Sequence, residues 1–388
     1  MTAGSDSIDT LAEQLRVAAA ESEEARSKTL DVLRELQLQL ESRHDIYNRI
    51  AFSQFELAVA RVAEDLKLYQ ILDASDQPLE VAELASKTGA APLLLRRMLR
   101  YLASIGQIQE TGRDAYAANT LTKTLAQPGY AGVVYHFFDN VGPALQVFPN
   151  FLAENQYRDI DNAAKTPAQK AFSTDLPMFA WLPTRPERFE PLQKTMAVQP
   201  QGQVPWFSVF PFESQVGTFA GPDVLVDVGG GLGHQCAGLL RGLPELELRG
   251  RLVLQDLPQT LKQVPPLDGV RITAHDFFQP QPVRGARFYY LRNILHDWPD
   301  DQALIIISHL RDALGPDSQI LIDEIVMPDT GAHWHTTSMD FIMMTCLGSR
   351  ERTVADWHAL LEAAGLRILQ IHTYLPRRED SIIQVVKA

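Results

Sequence analysis

The chain has 388 residues, 45% of them apolar and 21% charged, with a formal net charge of −13. That is an ordinary globular composition with room for two domains. Its negative field works against nucleic acid and anionic membrane, because the basic residues are scattered singly or in pairs such as Arg96-Arg97 and Arg377-Arg378. Two cysteines, Cys236 and Cys346, are too few for a disulfide framework and fit a reducing compartment. No apolar run approaches the ~20 residues that span a bilayer. Residues 1–9 lack the basic start and apolar core of a signal peptide. A cytoplasmic protein is the expectation.

In chain order, 10–40 reads as one helix, with Leu30, Leu33, Leu36, Leu38 and Leu40 forming an apolar surface. Such a stripe usually packs on another domain or a second subunit. A second helix follows over 50–72. Short helical patterns on either side of Thr88-Gly89-Ala90 make a helix-turn-helix, and two short strands at 105–110 and 115–117 complete a winged-helix unit. Arg96, Arg97 and Arg100 raise the question of DNA binding, but the overall charge favours a packing and dimerisation module. From 120 to 215 the pattern is helical, broken by prolines and rich in aromatics from Tyr135 to Phe212. Most of these rings must be core; some suit an apolar substrate pocket. His136, a polar residue in an apolar helix, is expected to face that pocket, and Asp340 is placed there too.

From 222 onward strands and helices alternate. Strands are expected at 224–228, 252–256, 270–275, 288–291, 319–326, 367–373 and 381–386. Helices are expected at 235–241, at 301–314 capped by Asp300 or Asp301, and at 354–364. This spacing predicts a doubly wound, Rossmann-like α/β domain with a parallel sheet, the final strand pair placing one strand antiparallel. The expected boundaries are 1–125 for an all-α, winged-helix-like dimerisation domain, 126–215 for the helical pocket segment, and 216–388 for the catalytic domain.

Val226-Asp227-Val228-Gly229-Gly230-Gly231-Leu232-Gly233-His234 ends the first of these strands and opens a helix. Glycine there permits a sharp turn and close approach of a ligand, as at Gly229 and Gly231. His234 stands where a nicotinamide fingerprint would have glycine, and no Gly-Lys-Ser/Thr follows. The loop therefore suits a nucleoside without a pyrophosphate. Asp256, at the end of the second strand, is placed to accept from both ribose hydroxyls. Asp276 and Phe277, with Phe278, end the third and would offer an acceptor and a flat wall to an adenine.

Arg292-Asn293-Ile294-Leu295-His296-Asp297-Trp298-Pro299-Asp300-Asp301 makes the pattern specific. Together with Asp323-Glu324-Ile325-Val326-Met327-Pro328 and Arg350-Glu351-Arg352-Thr353, it resembles the plant and fungal small-molecule O-methyltransferases over most of the chain. The aromatic middle is most similar to the fungal secondary-metabolite branch. The resemblance implies S-adenosyl-L-methionine as cofactor, a small-molecule acceptor, a homodimer and no metal. It implies His296 as general base flanked by Glu324 and Glu351, Arg292 beside the cofactor where the family more often has lysine, and Trp298 against the adenine. Some fungal members of this fold resemble pericyclases that bind the cofactor without transferring its methyl. A cofactor-sensing DNA regulator is a third reading, which the charge opposes.

Overall fold

The computed structural model describes residues 3–198, 204–217 and 219–388. It divides into two compact units, Met1–Pro128 and Gly129–Ala388. Most of the helical segment expected over 126–215 therefore lies in the second unit; residues 199–203 of that segment lie outside the described residues.

In the first unit the single helix expected over 10–40 is two, Ala3–Ala19 and Glu23–Leu40. Ser22 causes the break: its side chain accepts the Ala25 N–H at 3.0 Å, and Glu23 and Glu24 follow in the first turn. The stretch over 50–72 is divided as well, into the end of helix Arg43–Ala51, then Phe55–Asp65 and Leu68–Asp73, with Lys67 before the last at φ 53°. Helix Glu23–Leu40 buries no residue, and Leu30, Leu33, Leu36, Leu38 and Leu40 are all exposed. The winged-helix unit is present. Helices Val81–Thr88 and Pro92–Ser104 flank Gly89, whose φ of 72° makes the turn. Strands β1 (Leu79–Glu80), β2 (Gln109–Gly112) and β3 (Ala115–Ala117) form a sheet in the order β1-β3-β2, so the unit is not wholly helical. Leu84, Leu95, Leu99, Leu102 and Tyr116 fill its core. Arg96 Nε donates to Asp114 Oδ1 at 2.8 Å, and Arg100 lies 3.7 Å from the same oxygen. Two of the three arginines of this helix thus spend charge on one carboxylate.

The second unit carries the sheet that positions the site. Its strands are β4 (Leu225–Val228), β5 (Leu252–Asp256), β6 (Val270–Ala274), β7 (Phe288–Arg292), β8 (Gln319–Met327), β9 (Arg352–Thr353), β10 (Leu366–Leu375) and β11 (Asp380–Lys387). Their order is β10-β11-β8-β7-β4-β5-β6, with β9 beside β8. The pairs among β4 to β8 are parallel, and β11 runs antiparallel between β8 and β10. β4 is buried throughout, and β7 up to Arg292, as parallel strands covered on both faces must be. Alternate residues feed two cores. Val226, Tyr289, Leu291 and Ile322 pack on helices Asp300–Ala313 and Val354–Ala363. Leu225, Phe288, Tyr290 and Leu321 pack on Cys236, Leu239, Trp206, Phe210 and Phe212. The last three rings, read from sequence as part of the aromatic middle, are sheet core. Helix Asp300–Ala313 has Pro299 at its cap with no side-chain bond, so neither Asp300 nor Asp301 caps it as expected. Asp300 is engaged elsewhere, as described below. No helix among the described residues is long and apolar enough to cross a membrane.

Candidate active site

The strand order reverses at β4, which has β5 on one side and β7 on the other. Ligands of open α/β sheets bind at such a switch point, beyond the carboxyl ends of the strands. Two loops emerge there, the glycine loop after β4 and the turn 293–299 after β7.

Gly229 and Gly231 have φ of 70° and 57°, a conformation that favours glycine. A Cβ on Gly229 would come within 2.7 Å of Ile294, whereas one on Gly231 would meet only open space. The loop is therefore closed on one side and open on the other. Asp256 Oδ2 accepts the Gly231 N–H at 2.9 Å, and Oδ1 accepts from Leu257 N at 2.7 Å. These bonds fix the carboxylate and leave lone pairs for further donors. Asp276 Oδ1 accepts the Phe278 N–H at 2.9 Å, which sets the direction of the Phe277-Phe278 turn. Trp298 stands edge-on to both rings, with centroids 5.9 Å from Phe277 and 4.8 Å from Phe278, and lies 6.0 Å from Phe179. An open glycine cradle, a fixed acidic acceptor and an aromatic corner match the parts of an adenosine: ribose diol and flat base. The residues present fit the nucleoside of S-adenosylmethionine.

Arg292 points into a polar network. Its Nη1 donates to Asp323 Oδ2 at 3.2 Å; Tyr290 Oη donates to the same oxygen, and Tyr374 Oη donates to Oδ1 at 2.7 Å. Asn293 then adopts φ 50°, the left-handed region that asparagine tolerates, and its N–H donates to Asp323 O at 3.1 Å. The chain is thereby redirected into the short helical turn Leu295–Asp297, which carries His296.

His296 is buried, and its ring is held from one side. Nδ1 lies 2.8 Å from Glu351 Oε1 and 3.6 Å from Glu324 Oε2, while Nε2 lies 3.5 Å from Asp297 Oδ1. Glu324 Oε1 accepts the backbone N–H groups of Ile294 and Leu295, at 2.9 and 2.8 Å. One buried carboxylate thus shapes the turn and faces the imidazole it carries. Asp340, expected in the pocket, has Oδ1 on the Glu351 N–H at 2.9 Å, so it braces the residue that braces His296. Burial disfavours the imidazolium, but Glu324, Glu351 and Asp297 overcome it and hold His296 well above the usual histidine range. Burial also raises Glu324, and it pushes Asp297 up to about 7 against the pull of His296. The sequence offered no metal-ligand cluster, yet the structure brings possible ligand atoms of His296, Glu324 and Glu351 within 4.8 Å of one another. The bonds from Nδ1 to Glu351 and from two backbone N–H groups to Glu324 already account for that convergence.

His136 begins the π-helical turn His136–Val141. Asn140 Nδ2 lies 2.9 Å from His136 Nδ1 and 2.9 Å from the Arg188 carbonyl oxygen, to which it donates. Arg188 Nη1 donates to Asn140 Oδ1 at 3.4 Å, which orients the amide and makes Nδ1 the acceptor. The ring proton is then on Nε2. Burial lowers this histidine to about 4, so the ring is neutral at physiological pH.

Residues 213–367 match the O-methyltransferase domain, and residues 49–128 match the O-methyltransferase dimerisation domain. The chain belongs to the S-adenosylmethionine-dependent O-methyltransferases. It is 43% identical to demethylsterigmatocystin 6-O-methyltransferase of Aspergillus flavus over 357 residues, which cover 92% of each chain. It is 40% identical to O-methyltransferase lepI of the same fungus, covering 95% of each. The solved structure of LepI in complex with S-adenosylmethionine aligns over all of both chains with TM-score 0.94 and 36% identity. A structure described as a pericyclic reaction enzyme gives the same TM-score and identity, over 99% of this chain and 100% of that one. The expected family, fold and cofactor stand, and the dimerisation domain supports the expected homodimer. Sequence reasoning did not single out Arg352, Asp323 or Asn140. Arg352 and Asp323 carried a signal, each a charged residue in a matched motif beside Glu351 or Glu324.

Proposed function

We propose that this protein transfers the methyl group of S-adenosylmethionine to a hydroxyl of a small aromatic or polyketide-type secondary metabolite, with His296 as general base. The observation that carries the reading is the buried imidazole with Nδ1 on Glu351 and Nε2 on the opposite side. Donation of Nδ1–H to Glu351 leaves the Nε2 lone pair to take the acceptor's proton. The carboxylates on the Nδ1 side favour the imidazolium that forms when Nε2 takes the proton, and the neutral ring, present above its folded pKa, is the form that acts. Asp297, on the Nε2 side, would stabilise the arriving proton. When bound, S-adenosylmethionine supplies an electrophilic methyl on a sulfonium centre. Gly229, Gly231 and Asp256 would hold its nucleoside, with Asp276, Phe277 and Trp298 around the adenine. Arg292 would stand beside it, fixed by Asp323. Methyl transfer is chiefly alignment of two reactants, and these residues provide it. His136, through Nε2–H, and the aromatic helices would bind the acceptor, Asp340 acting from behind Glu351. Relatives named for O-methylation of fungal metabolites support the substrate class. The absence of a membrane-crossing helix among the described residues and two cysteines without a disulfide support a cytoplasmic place.

His296→Ala tests the base directly. Turnover should fall by ~10²–10⁴-fold, with cofactor affinity by calorimetry near wild type. Unchanged turnover removes His296 from the chemistry.

A second reading is a pericyclase or dehydratase that keeps the methyl on the cofactor. The likeness to the pericyclic reaction enzyme favours it. The buried base with two carboxylates on Nδ1 favours methyl transfer, because a rearrangement has no need of a strong base there.

A further inference from the structure

Arg352 is 1% exposed and immediately follows Glu351, at the start of β9. Its Nε donates to Asp300 Oδ1 at 2.9 Å, Nη1 to the Leu295 carbonyl at 2.7 Å, and Nη2 to the Trp298 carbonyl at 2.8 Å. Its guanidinium also lies 5.3 Å from the centre of the Trp357 ring. A buried cation is costly unless paired and fully hydrogen-bonded. Here the pairing is with Asp300, whose other oxygen accepts from Arg350 Nη2 at 2.7 Å. The two carbonyls are the informative partners: they bracket the turn that carries His296 and Asp297, and the second belongs to Trp298 itself.

We infer that Arg352 is a positioning residue for the reaction, fixing the His296 turn and the Trp298 ring in one mutual geometry. Two consecutive residues then divide the work. Glu351 orients the imidazole by its Nδ1, and Arg352 orients the backbone from which the imidazole projects. The planar fork can bridge two carbonyls and a carboxylate at once, which a lysine ammonium, a point charge on a flexible stem, cannot do with the same geometry. The acceptor's base and the adenine wall are thereby set by one side chain. This rests on the reading of His296 as base.

The test compares Arg352→Lys, Arg352→Ala and Asp300→Asn with His296→Ala. Arg352→Lys keeps the charge and loses the fork. Its kcat should fall by ~10²-fold, the scale of an ångström-sized misplacement of a reacting group, while the acceptor KM stays near wild type. The pH at which kcat is half-maximal should move down, because an imidazole displaced from Glu351 loses part of what raises it. Arg352→Ala should regain part of its turnover on addition of guanidinium, which leaves the wild type unimproved. Asp300→Asn removes the counter-charge and keeps an oxygen that can accept from the fork, and circular dichroism and thermal melting identify the folded variants before their kinetics are compared. Asp300→Asn should show a smaller loss with the same downward pH shift. Folded variants with wild-type kcat and pH profile, and no guanidinium rescue, would overturn the role of Arg352 while His296→Ala remains inactive. An active His296→Ala would instead overturn the base on which the role depends.

Discussion

His296 faces three carboxylates, Glu351 at 2.8 Å, Asp297 at 3.5 Å and Glu324 at 3.6 Å, whereas His136 meets the Asn140 amide at 2.9 Å. Both rings are largely enclosed, and burial alone pushes each toward the neutral form. At His136 that push prevails, and its pKa drops to about 4. At His296 the carboxylates reverse it. The same side chain is thereby made a strong base in one place and a fixed neutral donor in the other. Enclosure sets the cost of charge, and the neighbours decide the sign of the shift. The two also differ in backbone: His296 sits on a turn tied down by Glu324 and Arg352, and His136 on a π-helical turn tied by Asn140 and Arg188.

Replacing one carboxylate should erase part of that difference. Glu351→Gln keeps the shape and removes a charge that raises His296. The base must be unprotonated, so activity is lost as pH falls through its folded pKa. With Glu351 neutralised that pKa drops, and the activity limb of a pH–rate profile should move to lower pH. Turnover at the optimum should fall by ~10–10²-fold as the imidazolium loses a stabilising partner. A limb that stays in place would mean that another group sets it.

The other side of the comparison predicts a smaller effect. His136→Phe removes one neutral hydrogen bond, typically ~0.5–1.5 kcal/mol, so the acceptor KM should rise by no more than ~10-fold with little change in kcat. Steady-state kinetics checks it. A collapse of kcat comparable to that of His296→Ala would make His136 a reacting group and favour the pericyclic reading.

The sheet was legible in the sequence because its strands are short apolar runs punctuated by glycine and by acidic residues at their ends. β5 matches its expected bounds, and β4, β6, β7 and β8 each lie within a residue or so of theirs. The breaks at Ser22 and Lys67 were not, since 3.6-residue periodicity continues on both sides of them and hides a local cap or a left-handed residue. At the site, residue types were legible and their partners were not. Nothing local distinguishes Asp300 as a helix cap from Asp300 as the counter-ion of Arg350 and Arg352, because that choice depends on a contact some fifty residues away. Arg352 and Asp323 were missed for the same reason: their work is to satisfy backbone and side-chain groups that only the fold brings to them. The neutral tautomer of His136 likewise depends on Arg188, far along the chain.

The most direct measurement follows the cofactor's methyl. S-adenosylmethionine labelled on that methyl, incubated with the protein and its acceptor, should pass the label to the product oxygen and yield one demethylated cofactor per product molecule. Product that forms without label while the cofactor remains intact would contradict methyl transfer, and with it the role of His296 as its base.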